Sequence, residues 1–434
     1  MHPLLNLALL ATVASGPDPV ALATQAAQAY AAGDFMAAAA RYREALGVAP
    51  SAPGVLVGLG RSYARLGQTN DALEWLSRAA DTGAGADAAA VAGAFGASSE
   101  SGAVRALLSR FRGNVTPVVR STLEFRLAEK DLLPESVAYD PADGAWYVGS
   151  MRKRKVVVVR GGVARDFVAA KAHGLGAVLG MKVDAARREL LVNSCHADFS
   201  PAIVDPEPGR LGEAAVYRFA LGTGRLVAVQ RTGSKAQPVC FNDLALTPDG
   251  DVYLSTGGDG VFHLARNSGR LERFVETPGL LVNGIAAAPD GRRLYLADHM
   301  RGVMVLDVAS RELRPLQVPP ATALGGIDGL YVHGASLVGI QNGLSAGPER
   351  VLQAFLDADG SRATCVELLE RTHPDYDVPT TGVIVGDALV YVAGSQLNRL
   401  DDTGQPLPQD RLRESAVLRL GLLPGCAASV STFE

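Results

Sequence analysis

A chain of 434 residues with 48% hydrophobic and 20% charged residues has the composition of a folded protein with a large core, which excludes an intrinsically disordered one. Its formal charge of -4 supplies no basic field for a phosphate backbone, so nucleic acid is not expected as a partner. No run of about 18 apolar residues occurs, so no membrane span is expected either. In chain order, residues 1–20 come first, with an apolar stretch from Leu4 to Ala14 closing on the small residues Val13, Ala14 and Ser15. This is the pattern of a secretory signal peptide cleaved near Ser15, although the Lys or Arg that ordinarily precedes the apolar stretch is missing. Export to the periplasm or the exterior is the expectation; a helix entrance on a cytoplasmic protein is the alternative.

Residues 21–112 are rich in alanine, with apolar spacing near 3.6 and few β-branched residues, which predicts helices. Gly33 and Gly67 stand thirty-four apart, as do Ala38 and Ala72, Tyr42 and Leu76, and Ala45 and Ala79, while Ala106-Leu107 repeats Ala72-Leu73. This period, with small residues where two helices would cross, resembles the tetratricopeptide repeat. About two and a half units fit, the third weakened by the Ala-, Gly- and Ser-rich stretch from Gly83 to Gly102. A protein partner at this region is one expectation, and a plain helical bundle with no binding role is the other.

Residues 113–130 read as a linker in which the signal changes from helix to strand. Ser121 to Leu127 alternates as a strand that could close a ring against Ser415 to Leu420. From 131 to 425 one unit recurs: a strand, a turn of the type Pro248-Asp249-Gly250 or Pro289-Asp290-Gly291, and a second, almost wholly apolar strand such as Val252 to Ser255. Aligned strand openings fall at Glu135, Leu179, Asn242, Asn283, Asp328 and Thr381, at intervals of 44, 63, 41, 45 and 53 residues. Blades of four strands need about forty residues, so the fold class is multidomain α plus all-β: helical repeats followed by a six-bladed β-propeller. The long second interval leaves room for an inserted loop from Cys195 to Gly212. The basic run Met151 to Lys155 reads as a solvated connection within a blade.

In a propeller the first strand of each blade lines the axis. Glu135, Asn242, Asn283 and Asp328 would therefore converge as two carboxylates and two amides, a donor set suited to a hard divalent cation. Calcium is the leading choice, with zinc, manganese or magnesium as alternatives. Without an ion the two carboxylates would repel, and one would take up a proton. His196 and His299 follow predicted second strands and could reach the channel mouth as catalytic groups. The four cysteines show no zinc spacing and set no compartment, and a Cys195–Cys240 pairing stays open at this level. No Gly-x-Ser-x-Gly elbow supports a serine hydrolase.

The segments around Glu135, Phe241-Asn242-Asp243, Val282-Asn283-Gly284 and Ile327-Asp328-Gly329, in this order, resemble the SMP-30 (regucalcin)/gluconolactonase family of six-bladed propellers over residues 131–425. That resemblance implies divalent-metal ligation by Glu135, Asn242, Asn283 and Asp328, with Asp328 as candidate base in opening a small-molecule lactone or similar ester. The alternative function is a noncatalytic scaffold in which propeller and repeats bind protein partners around a structural ion.

Overall fold

The computed structural model describes residues 17–197, 207–267, 269–343, 346–399 and 407–426. The leader reading therefore falls almost wholly outside the described residues, and Pro19 and Val20 already belong to the first helix. The tip of the loop between Cys195 and Gly212 lies outside them as well.

Among the described residues six α-helices lead the chain: α1 (Pro19–Ala31), α2 (Phe35–Val48), α3 (Pro53–Arg65), α4 (Thr69–Asp81), α5 (Ala88–Phe95) and α6 (Gly102–Gly113). Local chemistry sets their starts. The side chains of Asp18, Asp34, Asp87 and Ser101 accept from the free N–H groups of the first turn, and Pro19 and Pro53 occupy positions where no N–H is needed. Ala38, Ala45, Ala72 and Ala79, the thirty-four-residue pairs, are fully buried, and Tyr42 and Leu76 pack beside them. The period thus marks the positions at which successive helices touch. The Gly83–Gly102 stretch does form a first helix for the third pair, α5, but only over eight residues.

After the helices, the described residues make six four-stranded antiparallel sheets. Strand β1 (Thr122–Leu127) is the exception to chain order, and it lies inside the segment read as linker. Blade 1 holds β2 (Pro134–Asp140), β3 (Ala145–Ser150), β4 (Lys155–Arg160) and β5 (Val163–Val168); blade 2 holds β6 (Ala177–Asp184), β7 (Glu189–Cys195), β8 (Glu213–Ala220) and β9 (Leu226–Gly233). Blade 3 is β10 (Phe241–Leu246), β11 (Val252–Thr256), β12 (Val261–Leu264) and β13 (Leu271–Val275); blade 4 is β14 (Val282–Ala287), β15 (Arg293–Asp298), β16 (Gly302–Asp307) and β17 (Leu313–Pro315). Blade 5 is β18 (Ile327–His333), β19 (Ser336–Gln341), β20 (Arg350–Leu356) and β21 (Ala363–Arg371). Blade 6 joins β22 (Gly382–Ile384), β23 (Ala388–Val392) and β24 (Ser415–Gly421) to β1, with Thr122 opposite Arg419 and Leu127 opposite Ser415. The two ends of the propeller meet in one sheet, which leaves no open edge at the seam.

The apolar second strands carry Tyr147, Tyr253, Tyr295 and Tyr391, all buried between blades. Two disulfides, Cys195–Cys240 and Cys365–Cys426, use all four cysteines. The first ties blade 2 to blade 3 and the second ties the end of the described chain to β21. The basic run is a blade connection, but it is not simply solvated: Arg154 is buried 3.2 Å from Glu207, and Lys155 meets Glu129 and Asp166, both at 2.8 Å.

The helices dock on one end of the propeller. Antiparallel register aligns Ile327 with Gln341, Gln341 with Arg350, and Arg350 with Arg371, so the Asp328 end of blade 5 is also its Arg350 and Arg371 end. These arginines grip the helical domain: Arg350 Nη1 donates to Thr82 O at 3.1 Å, and Arg371 donates to Thr116 O at 2.9 Å and Gly113 O at 3.1 Å. Met300, in the turn after β15, and Ala346 pack against the helical core.

Candidate metal centre in the propeller channel

Every inner strand from β2 to β18 loses register at its opening. Pairing skips between Pro134 and Ser136, Val178 and Met181, Phe241 and Leu244, Val282 and Ile285, and Ile327 and Leu330. A β-bulge leaves its extra residues out of the ladder and re-aims their side chains. The residues passed over are Glu135, Leu179-Gly180, Asn242-Asp243, Asn283-Gly284 and Asp328-Gly329. The repeated motif is therefore a bulge, which frees Glu135, Asn283 and Asp328 in blades 1, 4 and 5, both Asn242 and Asp243 in blade 3, and no polar side chain in blade 2. Its glycines let neighbouring inner strands approach: a Cβ at Gly284 would lie 2.4 Å from Asp328 O, and one at Gly329 would lie 3.0 Å from Thr380 O.

The bulges of blades 1, 3, 4 and 5 bring an acidic group together. Asp328 is 6% exposed; its Oδ2 accepts from Asn342 Nδ2 at 2.6 Å, and its Oδ1 is buried with no partner. Glu135 is 8% exposed, with Oε2 equally orphaned, while its main-chain oxygen accepts from the Thr380 and Thr381 hydroxyls at 2.8 and 2.9 Å. Asn283 stands close enough to Asp328 for its amide to lower that carboxyl's pKa. Asn242 donates from Nδ2 to Val282 O at 2.9 Å, which leaves Oδ1 as its candidate ligand atom. Asn242 and Asn283 are both part-exposed, so the group is not sealed on every side.

The carboxylates of the group sense one another's charge. Burial pushes the Glu135 carboxyl well above the usual range, and the charges of Asp328 and Asp243 push it further. Burial raises Asp328 to about 7 and the Asp243 charge adds to this, against the pull of the Asn342 and Asn283 amides. Asp243 is raised by burial, opposed by the ammonium of Lys182. That ammonium reaches from blade 2 to within 5.0 Å of the Tyr331 ring centre in blade 5, so Lys182 crosses the axis beyond the carboxylates. Three carboxylates against one ammonium leave two negative charges when all are ionised, the charge a divalent cation neutralises. Orphaned carboxylate oxygens, amide oxygens and this balance fit such an ion. Among the described residues no group of three or more His, Cys, Asp or Glu forms a ready metal cage; the candidate set here mixes carboxylates with amides.

The two histidines part company. His299 packs its ring on Gly343, next in sequence to Asn342, and burial lowers its pKa against the opposing charge of Asp298. His196 instead turns to loops at the rim of blade 2, with Nε2 3.1 Å from Gly174 O and Nδ1 3.9 Å from Glu207. Sequence reasoning passed over Asp243, Lys182 and Asn342. The Asn242-Asp243 pair was the one available signal, since a bulge lets adjacent residues serve one site. Two cavities, of about 290 Å³ beside Trp75 and Arg78 and about 360 Å³ beside Asp131 and Asp410, lie away from this group.

Fold and site together define a helical-repeat domain joined to a six-bladed β-propeller with an acidic channel end. The tetratricopeptide repeat family matches over residues 29–95. No curated protein matches the sequence. Among solved structures, the major allergen Mala s 1 of Malassezia sympodialis is similar at a TM-score of 0.52 and 14% identity, over 68% of this chain and 94% of that one. A gluconolactonase from Xanthomonas campestris reaches 0.46 at 16% identity, over 71% of this chain and 94% of that one. Virginiamycin B lyase from Staphylococcus aureus reaches 0.44 at 11%, over 71% of this chain and 100% of that one. Such identities speak to fold alone.

Proposed function

We propose that the chain opens a lactone or similar ester in the propeller channel, using a divalent cation, calcium before zinc, manganese or magnesium, held by Glu135, Asn242, Asn283 and Asp328. The observation that carries this reading is the pair of orphaned carboxylate oxygens, Glu135 Oε2 and Asp328 Oδ1, gathered from blades far apart in sequence. A lactone or ester is named because the bulge motifs resemble those of the SMP-30/gluconolactonase family. When bound, the cation would polarise the carbonyl and favour negative charge on its oxygen. Asp328 is the candidate base: with Asn342 on one side of its Oδ2, a carboxylate lone pair not given to the ion would take the proton of the attacking water. Ligation weakens a carboxylate as a base, and His299, whose ring lies against Gly343 next in the chain to Asn342, is the candidate to take that proton onward. The two disulfides support an exported protein in an oxidising compartment.

One observation favours a noncatalytic scaffold with a structural ion: Glu135 and Asp328 are 8% and 6% exposed, and neither cavity described above opens on them. Elemental analysis of the purified protein, followed by turnover of a panel of lactones and aryl esters by wild type and Asp328→Ala, separates the two. Loss of both ion and turnover in the variant is the expected result. Turnover that persists without an ion would remove this mechanism, and a bound ion without turnover on any ester would favour the scaffold.

A further inference from the structure

Arg350 is 6% exposed, and among the described residues no carboxylate pairs with it; it is satisfied by oxygens of two domains. Nη1 reaches Thr82 O just beyond α4 at 3.1 Å, Nε reaches Gln341 Oε1 at 2.6 Å, and Nη2 reaches Ala323 O at 3.4 Å. Gln341 passes the grip on, donating from Nε2 to Ala323 O at 3.0 Å and Gly325 O at 2.7 Å. These contacts hold the two segments that define Asp328: residues 323–326, which lead into it, and residue 342, whose amide bonds it. Asn342 N also donates to Gly326 O at 3.2 Å, and Gly326 N to His299 O at 2.8 Å. The helical side meets this cluster without slack, since a Cβ at Gly83 would fall 2.2 Å from Arg350 Nη1.

We infer that the helical domain is a fixed wall of the channel mouth and that Arg350 is a positioning residue, setting Asp328 and Asn342 according to how the helices are docked. Its consequence for turnover rests on the reading of the channel as a metal-dependent ester site; its consequence for local structure does not. A change that moves Thr82, or a partner whose binding moves it, would then alter the channel without touching it.

The test uses full-length protein with no metal added, comparing amide hydrogen exchange by mass spectrometry in wild type, Arg350→Met, Gly83→Ala and Arg110→Ala. Gly83→Ala presses on the guanidinium from the helical side, strains its own backbone at φ +81° and leaves the propeller sequence intact, so it reports even where Arg350→Met does not fold. Arg110→Ala removes an exposed ion pair with Asp81 and controls for general loosening of the helices. Exchange over 323–328 and 341–343 should quicken about tenfold in the first two variants and stay unchanged in the control. Calcium affinity by calorimetry should fall about fivefold in the same two variants, with Arg350→Lys intermediate because it keeps the charge but loses the fork. Faster exchange confined to 80–85 and 346–350, or equal effects in Arg110→Ala, would overturn the inference. Wild type that binds no calcium yet shows the exchange pattern would sink the metal centre and leave the wall standing.

Discussion

Asp328 holds a proton in the folded, ion-free chain that the unfolded chain releases, because burial and the Asp243 charge raise it to about 7. The linkage has a definite sign. Between the unfolded carboxylate value of about 4 and the folded one the native state binds more protons, so ion-free stability falls as pH rises through that window, by up to about 1.4 kcal/mol per pH unit for each such proton. Glu135 and Asp243, shifted the same way, add to the slope. A cation replaces these protons, so thermal stabilisation by calcium should be small at pH 5 and large at pH 8. Equal shifts in melting temperature at both would mean that the ion sits elsewhere. Glu135, Asn242, Asn283 and Asp328 could be proposed as one group from sequence because they recur in register. Asp243, Asn342 and Lys182 could not, since each occurs once, and strict strand alternation sends Asp243 to the face opposite Asn242.

The bulge is the element that turns a repeated dipeptide into a site, and its glycines can be tested alone. Gly284→Ala places a methyl 2.4 Å from the Asp328 carbonyl, so blades 4 and 5 must part; a loss of about 1–3 kcal/mol in chemical denaturation is expected. An unchanged midpoint would show that the inner strands are not locked at this point. Hairpins were readable because Pro-Asp-Gly turns fix backbone angles locally, and Ser121–Leu127 could be matched to Ser415–Leu420 by alternation. Helix α5 was harder to see, since Ala-rich sequence gives little amphipathic contrast. The pairing of Cys365 with Cys426 depends on where the chain travels after β24, which no local pattern encodes.

At the scale of the molecule, sequence could count two domains and six blades but not say which end of the propeller the helices cover. That depends on Arg350 and Arg371, single residues whose partners lie more than two hundred positions away. The placement matters because the covered end is the one where the acidic bulges open. The proposed metal centre at that end rests on three carboxylates facing one ammonium, that of Lys182. Calorimetric titration of calcium into chelator-treated full-length protein, run beside a Glu135→Gln/Asp328→Asn double variant that keeps its near-ultraviolet circular dichroism, tests it directly. Wild type should take up one ion per chain and the variant none; a wild type that binds nothing, or a variant that binds as well as wild type, would contradict the assignment.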